Sequence, residues 1–324
     1  MDARILVTRP IPEAGLDRLR RAGADVELAE QDGPLPDDEL RRRIADKHGL
    51  LCLLHDRIDE ALLSAAPELR GIANYAVGHD NIDLVAATAR GIPVSNTPDV
   101  LTDATADLAW ALLLATARRL LEGEQLARSG EWAGWGPLQL LGREVSGGRL
   151  AIIGAGRIGQ AVAGRAVGFG MRLMYVDREP RLELERATGA HRVELDEALE
   201  QADFVSLHLP LTQETRGMIG RRELARLPPG AVLINTSRGA VLDEPALIEA
   251  LEAGRIRAGL DVYADEPRIP QRLRRLPNVV LLPHLGSATG QTRRRMAKMA
   301  ADNLLAMLRR QRPPNLLNPE ALTE

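Results

Sequence analysis

The segment "LAIIGAGRIGQAVAGRA" constrains this chain more than any other. An apolar run, Leu150 to Ile153, meets three glycines in G-x-G-x-x-G spacing, and small and apolar residues follow. A strand feeding a tight turn and then a helix satisfies that pattern. Gly154 makes the turn, Gly156 lets the backbone approach a pyrophosphate, and Gly159 permits close helix–strand packing. The helix N-terminus offers N–H groups and a positive dipole end to phosphates. The next apolar run, "RLMYV", ends at Asp177, near the spacing expected of a ribose-binding acid. Its carboxylate would accept from the ribose hydroxyls and repel a 2′-phosphate, which favours NAD(H). Arg178 and Arg181 each offer a phosphate partner, so NADP(H) stays open.

The rest of the chain repeats the same rhythm of short aliphatic runs and helical patterns, which predicts α/β architecture with parallel sheets. We expect two such domains, Rossmann-like or flavodoxin-like, with the active site in the cleft between them. Residues 1–100 and 288–324 form the expected discontinuous substrate-binding domain. Residues 101–287 form the nucleotide-binding domain, opening on one long bridging helix from about Leu101 to Ser129. Its strands are read at "GRLAIIG", "RLMYVD", "FVSLHLP", "AVLINTSRG", "RAGLDVY" and "VVLLPHLG".

A chain of 324 residues with 45% apolar and 27% charged residues can bury two cores. The net charge of −3 favours neither nucleic acid nor an anionic membrane. Cys52 is the only cysteine, which excludes an internal disulfide and a thiolate metal cluster. No group of residues has metal-ligand spacing, and no metal is expected. The opening "MDARILVTRP" has no secretory apolar region and "LAWALLLATA" is too short to span a bilayer. A cytoplasmic protein is expected.

In an open parallel sheet, ligands bind beyond the carboxyl ends of the strands. Those ends here carry His208, Pro210 and Thr212; then Arg238; then Asp261 and Glu266; then His284. Any one of them has an ordinary reading as a loop or structural residue; the series together points to a reaction site. Carbonyl reduction fits it. Arg238 can grip a 2-keto acid with its planar fork. His284 can supply the proton that the developing alkoxide needs, and Glu266 can orient the imidazole and favour its charged form. We expect further cofactor contacts from Thr102, Arg157, Ile158, Leu209, Pro210, Thr215 and Thr236.

The chain resembles the D-isomer-specific 2-hydroxyacid dehydrogenases over nearly its whole length. The resemblance is carried by "NYAVGHDNIDL", "TADLAWALLLATARR", "GAGRIGQ", "HLPLTQET", "INTSRGAVLDE", "GLDVYADEP" and "LPHLGSAT". It implies a catalytic trio of Arg238, Glu266 and His284, with Asp261 holding the cofactor's carboxamide. It implies that N–H groups of Val77 and Gly78 share the substrate carboxylate, and that the protein is a homodimer through its nucleotide-binding domains. Within the family, "GEWAGWGPLQLLGREVSGG" is most similar to glyoxylate/hydroxypyruvate reductases, which implies reduction of a small 2-keto acid to the D-2-hydroxy acid. A D-lactate, phosphoglycerate or phosphite dehydrogenase is the rival enzyme, and a non-catalytic NAD-sensing scaffold the rival of another class.

The three tryptophans, Trp110, Trp132 and Trp135, fall close together. Trp110 is expected in a dimer core. Trp135 is expected to cross the dimer and bound the partner's substrate pocket. His79 is expected to be structural.

Overall fold

Strands buried on both faces must be apolar along their length, and the aliphatic runs of this chain become such strands. The computed structural model describes residues 2–31 and 33–322. It divides into two compact units, Met1–Leu101 with Ser287–Glu324, and Thr102–Gly286.

The first unit holds strands β1 (Arg4–Val7), β2 (Asp25–Leu28), β3 (Gly49–Cys52), β4 (Ile72–Asn74) and β5 (Val94–Ser95). Their order is β2-β1-β3-β4-β5 and every pair is parallel. This is the flavodoxin-like order, with its switch point between β1 and β3. The helix Gly290–Leu308 belongs to this unit and lies tightly on the helix Glu13–Arg21. A Cβ at Gly15 would stand 2.8 Å from the Ala297 carbonyl oxygen. The edge strand β5 would invite foreign strands if left open. Leu316 bridges it antiparallel at Ser95, and Asn318 accepts the Val94 N–H at 2.7 Å. The Asn318 amide in turn donates to the Ile92 carbonyl and the Thr88 hydroxyl.

The second unit holds β6 (Arg149–Ile153), β7 (Arg172–Val176), β8 (His191–Arg192), β9 (Phe204–Leu207), β10 (Ala231–Asn235), β11 (Ile256–Leu260) and β12 (Val279–Leu281). They are parallel in the order β8-β7-β6-β9-β10-β11-β12. The order reverses between β6 and β9, which is where a Rossmann sheet binds its ligand. Strand β8 was not expected: it is two exposed residues long and carries no apolar pattern.

The expectation of one bridging helix is corrected here. The bridging helix is two helices, Thr102–Ala117 and Leu120–Ser129. The Ala117 carbonyl, which a continuing helix would need, accepts the Arg143 N–H at 2.8 Å instead. Arg119 then takes a left-handed conformation, φ +54°. Trp110, expected in a dimer core, packs inside its own unit. It is stacked on Phe169 at 4.6 Å, and its Nε1–H donates to the Val162 carbonyl at 3.0 Å. Among the described residues, no helix is long and apolar enough to cross a membrane.

Candidate active site

At the switch point Gly154 has φ +94°, a conformation side chains avoid. A Cβ there would lie 2.8 Å from the His208 carbonyl oxygen, just past β9. Gly159 supports the turn from below, where a Cβ would stand 2.1 Å from the Gly154 oxygen. Gly156 differs: nothing lies within 4 Å of its Cβ position. It caps the helix Arg157–Ala166, whose first residues are the exposed Arg157 and half-buried Ile158. The turn thus presents helix N–H groups to open space, as anion binding requires.

Asp177, at the end of β7, ties itself to this turn. Its Oδ2 accepts the Ala155 N–H at 3.0 Å. The Arg181 fork donates to both oxygens, Nε at 3.2 Å and Nη2 at 3.1 Å. Arg178 is exposed, and its carbonyl accepts from Arg192 at 2.9 Å.

Beyond β9, Ser206 Oγ and His208 Nε2 are 2.8 Å apart. Burial pushes His208 down to about 3, so this wall is neutral at physiological pH. Leu209 packs on the core, and Thr215 Oγ1 fixes the following turn by donating to the Pro210 carbonyl at 2.7 Å. Thr236 is buried and its Oγ1 has no hydrogen-bond partner. Such an orphan fits a bound polar group. Thr102 opens the helix Thr102–Ala117. Open space at Gly156, the Asp177 carboxylate and the Thr236 hydroxyl together suit a dinucleotide.

The turn after β10 is built by Asn235, which is fully buried. Its Oδ1 accepts from the Ser237 N–H and hydroxyl, and its Nδ2 donates to the Arg238 carbonyl at 2.9 Å. Arg238 is half-buried and its Nη1 donates to the Ser237 carbonyl.

Asp261 follows β11 and has no exposed surface. Three successive N–H groups converge on it. Its carbonyl accepts from His284 at 2.9 Å, its Oδ1 from Leu285 at 2.6 Å and its Oδ2 from Gly286 at 2.8 Å. Burial pushes its carboxyl up. His284 sits at φ +56°, a region bulky side chains rarely occupy, and these bonds hold it there. The family resemblance implies a contact between Asp261 and the cofactor's carboxamide. The structure shows it organising the histidine turn, while each carboxylate oxygen keeps a second lone pair.

Glu266 and His284 meet. Glu266 Oε2 lies 2.7 Å from His284 Nδ1, and its Oε1 accepts the Tyr263 N–H at 3.1 Å. A proton on Nδ1 would make this a charge-assisted hydrogen bond. Asp265 is exposed and pairs with Arg268 at 2.7 Å.

In the first unit, Val77 and Gly78 follow β4. Asn96 Nδ2 donates to the Val77 carbonyl and Asn74 Nδ2 to the Gly78 carbonyl, each at 2.8 Å. The neighbouring His79 has a buried Nδ1 without a hydrogen-bond partner. In the second unit, Trp135 is 83% exposed, and Trp132, Leu138 and Leu141 are exposed beside it.

Sequence reading missed Asn235, Gly239 and Tyr263. The signal for Gly239 was its place next to Arg238; its reason, a neighbouring backbone, is visible only in three dimensions.

Known proteins similar to this chain share its fold. Residues 110–286 match the model of the D-isomer specific 2-hydroxyacid dehydrogenase, NAD binding domain. A glyoxylate reductase of Thermococcus litoralis is 49% identical over 100% of this chain and 99% of its own. A solved protein of Thermus thermophilus has a TM-score of 0.91 at 48% identity, covering 97% of this chain and 99% of that one. An NADPH-dependent glyoxylate/hydroxypyruvate reductase of Sinorhizobium meliloti has a TM-score of 0.84 at 36% identity, covering 98% of both chains. With an identity near one half along its full length and the nucleotide-binding sheet in place, this chain belongs to the D-isomer-specific 2-hydroxyacid dehydrogenase family.

Proposed function

We propose that this NAD(P)-dependent D-2-hydroxyacid dehydrogenase reduces small 2-keto acids, glyoxylate and hydroxypyruvate first, and that it prefers NADH. The observation that carries the reading is the Glu266–His284 pair, 2.7 Å apart at the carboxyl rim of the sheet that also ends in Arg238. When bound, the reduced nicotinamide supplies a hydride to the carbonyl carbon. Arg238 donates its fork to the substrate's carboxylate and ketone oxygens and polarises the carbonyl. The N–H groups of Val77 and Gly78 share the carboxylate. His284 Nε2 gives its proton to the developing alkoxide, and Glu266 holds the ring and stabilises its charged form.

The NADH preference rests on Asp177, which faces the glycine turn and occupies Arg181 with both oxygens. Cofactor contacts are assigned to Gly154, Gly156, Arg157, Ile158, Gly159, Leu209, Pro210, Thr215, Thr236 and Thr102, with Arg178 at the adenosine end. Asp261 is assigned to the carboxamide in addition to its turn. The protein acts as a homodimer in the cytoplasm, with the segment from Leu120 to Leu141, which exposes Trp132, Trp135, Leu138 and Leu141, at the interface. Trp135 projects from that stretch toward the partner's substrate.

A spectrophotometric panel tests the reading: glyoxylate, hydroxypyruvate, pyruvate and 3-phosphohydroxypyruvate, each with NADH and NADPH. The highest kcat/KM should fall on glyoxylate or hydroxypyruvate with NADH. A preference for pyruvate or the phosphorylated acid would assign another substrate, and no cofactor oxidation with any of them would overturn the reading.

A further inference from the structure

Arg238, Glu266 and His284 stand on three separate turns of the second unit, and one residue outside that chemistry touches all three turns. Tyr263 is buried. Its N–H donates to Glu266 Oε1, the oxygen that His284 does not use. Its hydroxyl donates to the Leu282 carbonyl at 2.9 Å, two residues before His284, with the Leu260 carbonyl farther off at 3.4 Å.

The third contact is backbone against backbone. The Tyr263–Ala264 peptide lies on Gly239, the residue after Arg238. A Cβ at Gly239 would stand 1.9 Å from the Tyr263 carbonyl carbon, 2.1 Å from its oxygen and 2.4 Å from the Ala264 nitrogen. No side chain fits, so glycine is required here for space rather than for backbone conformation. The same peptide is also held by Glu244, whose Oε1 accepts the Ala264 N–H at 3.2 Å. Close-packed groups of this kind pass displacements on to their neighbours.

We propose that Tyr263 is a positioning residue that fixes Arg238, Glu266 and His284 relative to one another, with Gly239 as the seat for its peptide. The inference rests on the catalytic roles proposed above. Its consequence follows from how steeply rate depends on placement: about 1 Å of displacement at a reacting group can cost on the order of 10²-fold. Phenylalanine at 263 keeps the ring packing and removes one hydroxyl, leaving the Leu282 carbonyl without that donor. Alanine at 239 pushes the Tyr263–Ala264 peptide, and with it Tyr263, whose own N–H holds Glu266.

The test uses the full-length enzyme and three variants, Tyr263→Phe, Gly239→Ala and His284→Asn. Each is measured for kcat with the best keto acid, for the Kd of NADH by fluorescence, and for Tm. Tyr263→Phe should lower kcat about 2–13-fold, the equivalent of one lost hydrogen bond, with the NADH Kd within about twofold of the parent. Gly239→Ala should lower kcat further, again with cofactor binding retained. A His284→Asn variant with near-normal turnover would overturn the catalytic reading itself. If His284→Asn is inactive, unchanged kcat in Tyr263→Phe overturns this inference, whether or not Gly239→Ala folds. A fall in Tm without a fall in kcat overturns it too, as does a loss of NADH affinity equal to the loss of kcat.

Discussion

Replacing Asp177 with alanine should invert the cofactor preference, and the structure indicates by how much. In the protein as folded, the Asp177 carboxylate accepts from Ala155 and from both ends of the Arg181 fork. Bound NADH would use the same oxygens for its ribose hydroxyls. Hydrogen bonds to a charged group contribute about 1.5–3 kcal/mol each, so losing one such net interaction costs about 10–150-fold in kcat/KM for NADH. The substitution also removes a charge that would repel a 2′-phosphate, and it releases Arg181. A freed fork within reach of a phosphate gains a charge-assisted pair of similar size. The ratio of kcat/KM for NADPH over NADH should therefore rise by about 10²–10⁴. The assay is steady-state reduction of one keto acid with each cofactor, on the parent, Asp177→Ala, Arg181→Ala and the double variant. Arg181→Ala alone should leave NADH use intact, and the double variant should lose most of the NADPH gain. Unchanged NADH kinetics in Asp177→Ala would remove Asp177 from the ribose, and equal NADPH kinetics in the single and double variants would remove Arg181 from the phosphate.

His284→Asn should lower kcat by about 10²–10⁴, the usual share of general acid–base catalysis, and asparagine tolerates the positive φ that alanine would resist; stopped-flow turnover checks this. Asp203 accepts from the Arg149 N–H and guanidinium and pairs with Arg143, and these contacts hold its carboxyl down to about 2. Its folded value lies below the unfolded one, so the stabilisation is present above pH about 4 and is lost as pH falls toward 2. Asp203→Asn should cost about 2 kcal/mol at pH 7 in urea unfolding and little below pH about 2; an equal cost at both pH values would contradict this. Trp135→Leu should broaden the accepted chain length of keto acids while the protein stays dimeric by analytical ultracentrifugation; unchanged relative kcat/KM across a chain-length series would count against a role at the substrate.

The sequence was most informative where local pattern and tertiary role coincide. Strand β10 reads as an unbroken aliphatic run because both its faces are buried, and it ends at the turn that carries Arg238. The glycine turn is legible for a similar reason, since each glycine answers a requirement within a few residues. Legibility failed where the cause is distant in the chain. The bridging helix breaks because Arg143 takes the Ala117 carbonyl, and nothing near Ala117 announces that. The Phe169 ring that stacks on Trp110 is likewise distant in the chain. The rim residues could be listed from strand ends, but the strained turn of His284, clamped by Asp261, could not, because it depends on bonds between two loops. Gly239 and Tyr263 fall in the same class.

In the proposed reaction, hydride reaches one face of a small 2-keto acid and His284 donates the proton. Hydroxypyruvate reveals that face because its product is chiral. Chiral chromatography of the glycerate formed with NADH tests it directly. The parent should form D-glycerate, and His284→Asn should suppress it. L-glycerate, or D-glycerate formed equally fast without His284, would contradict it.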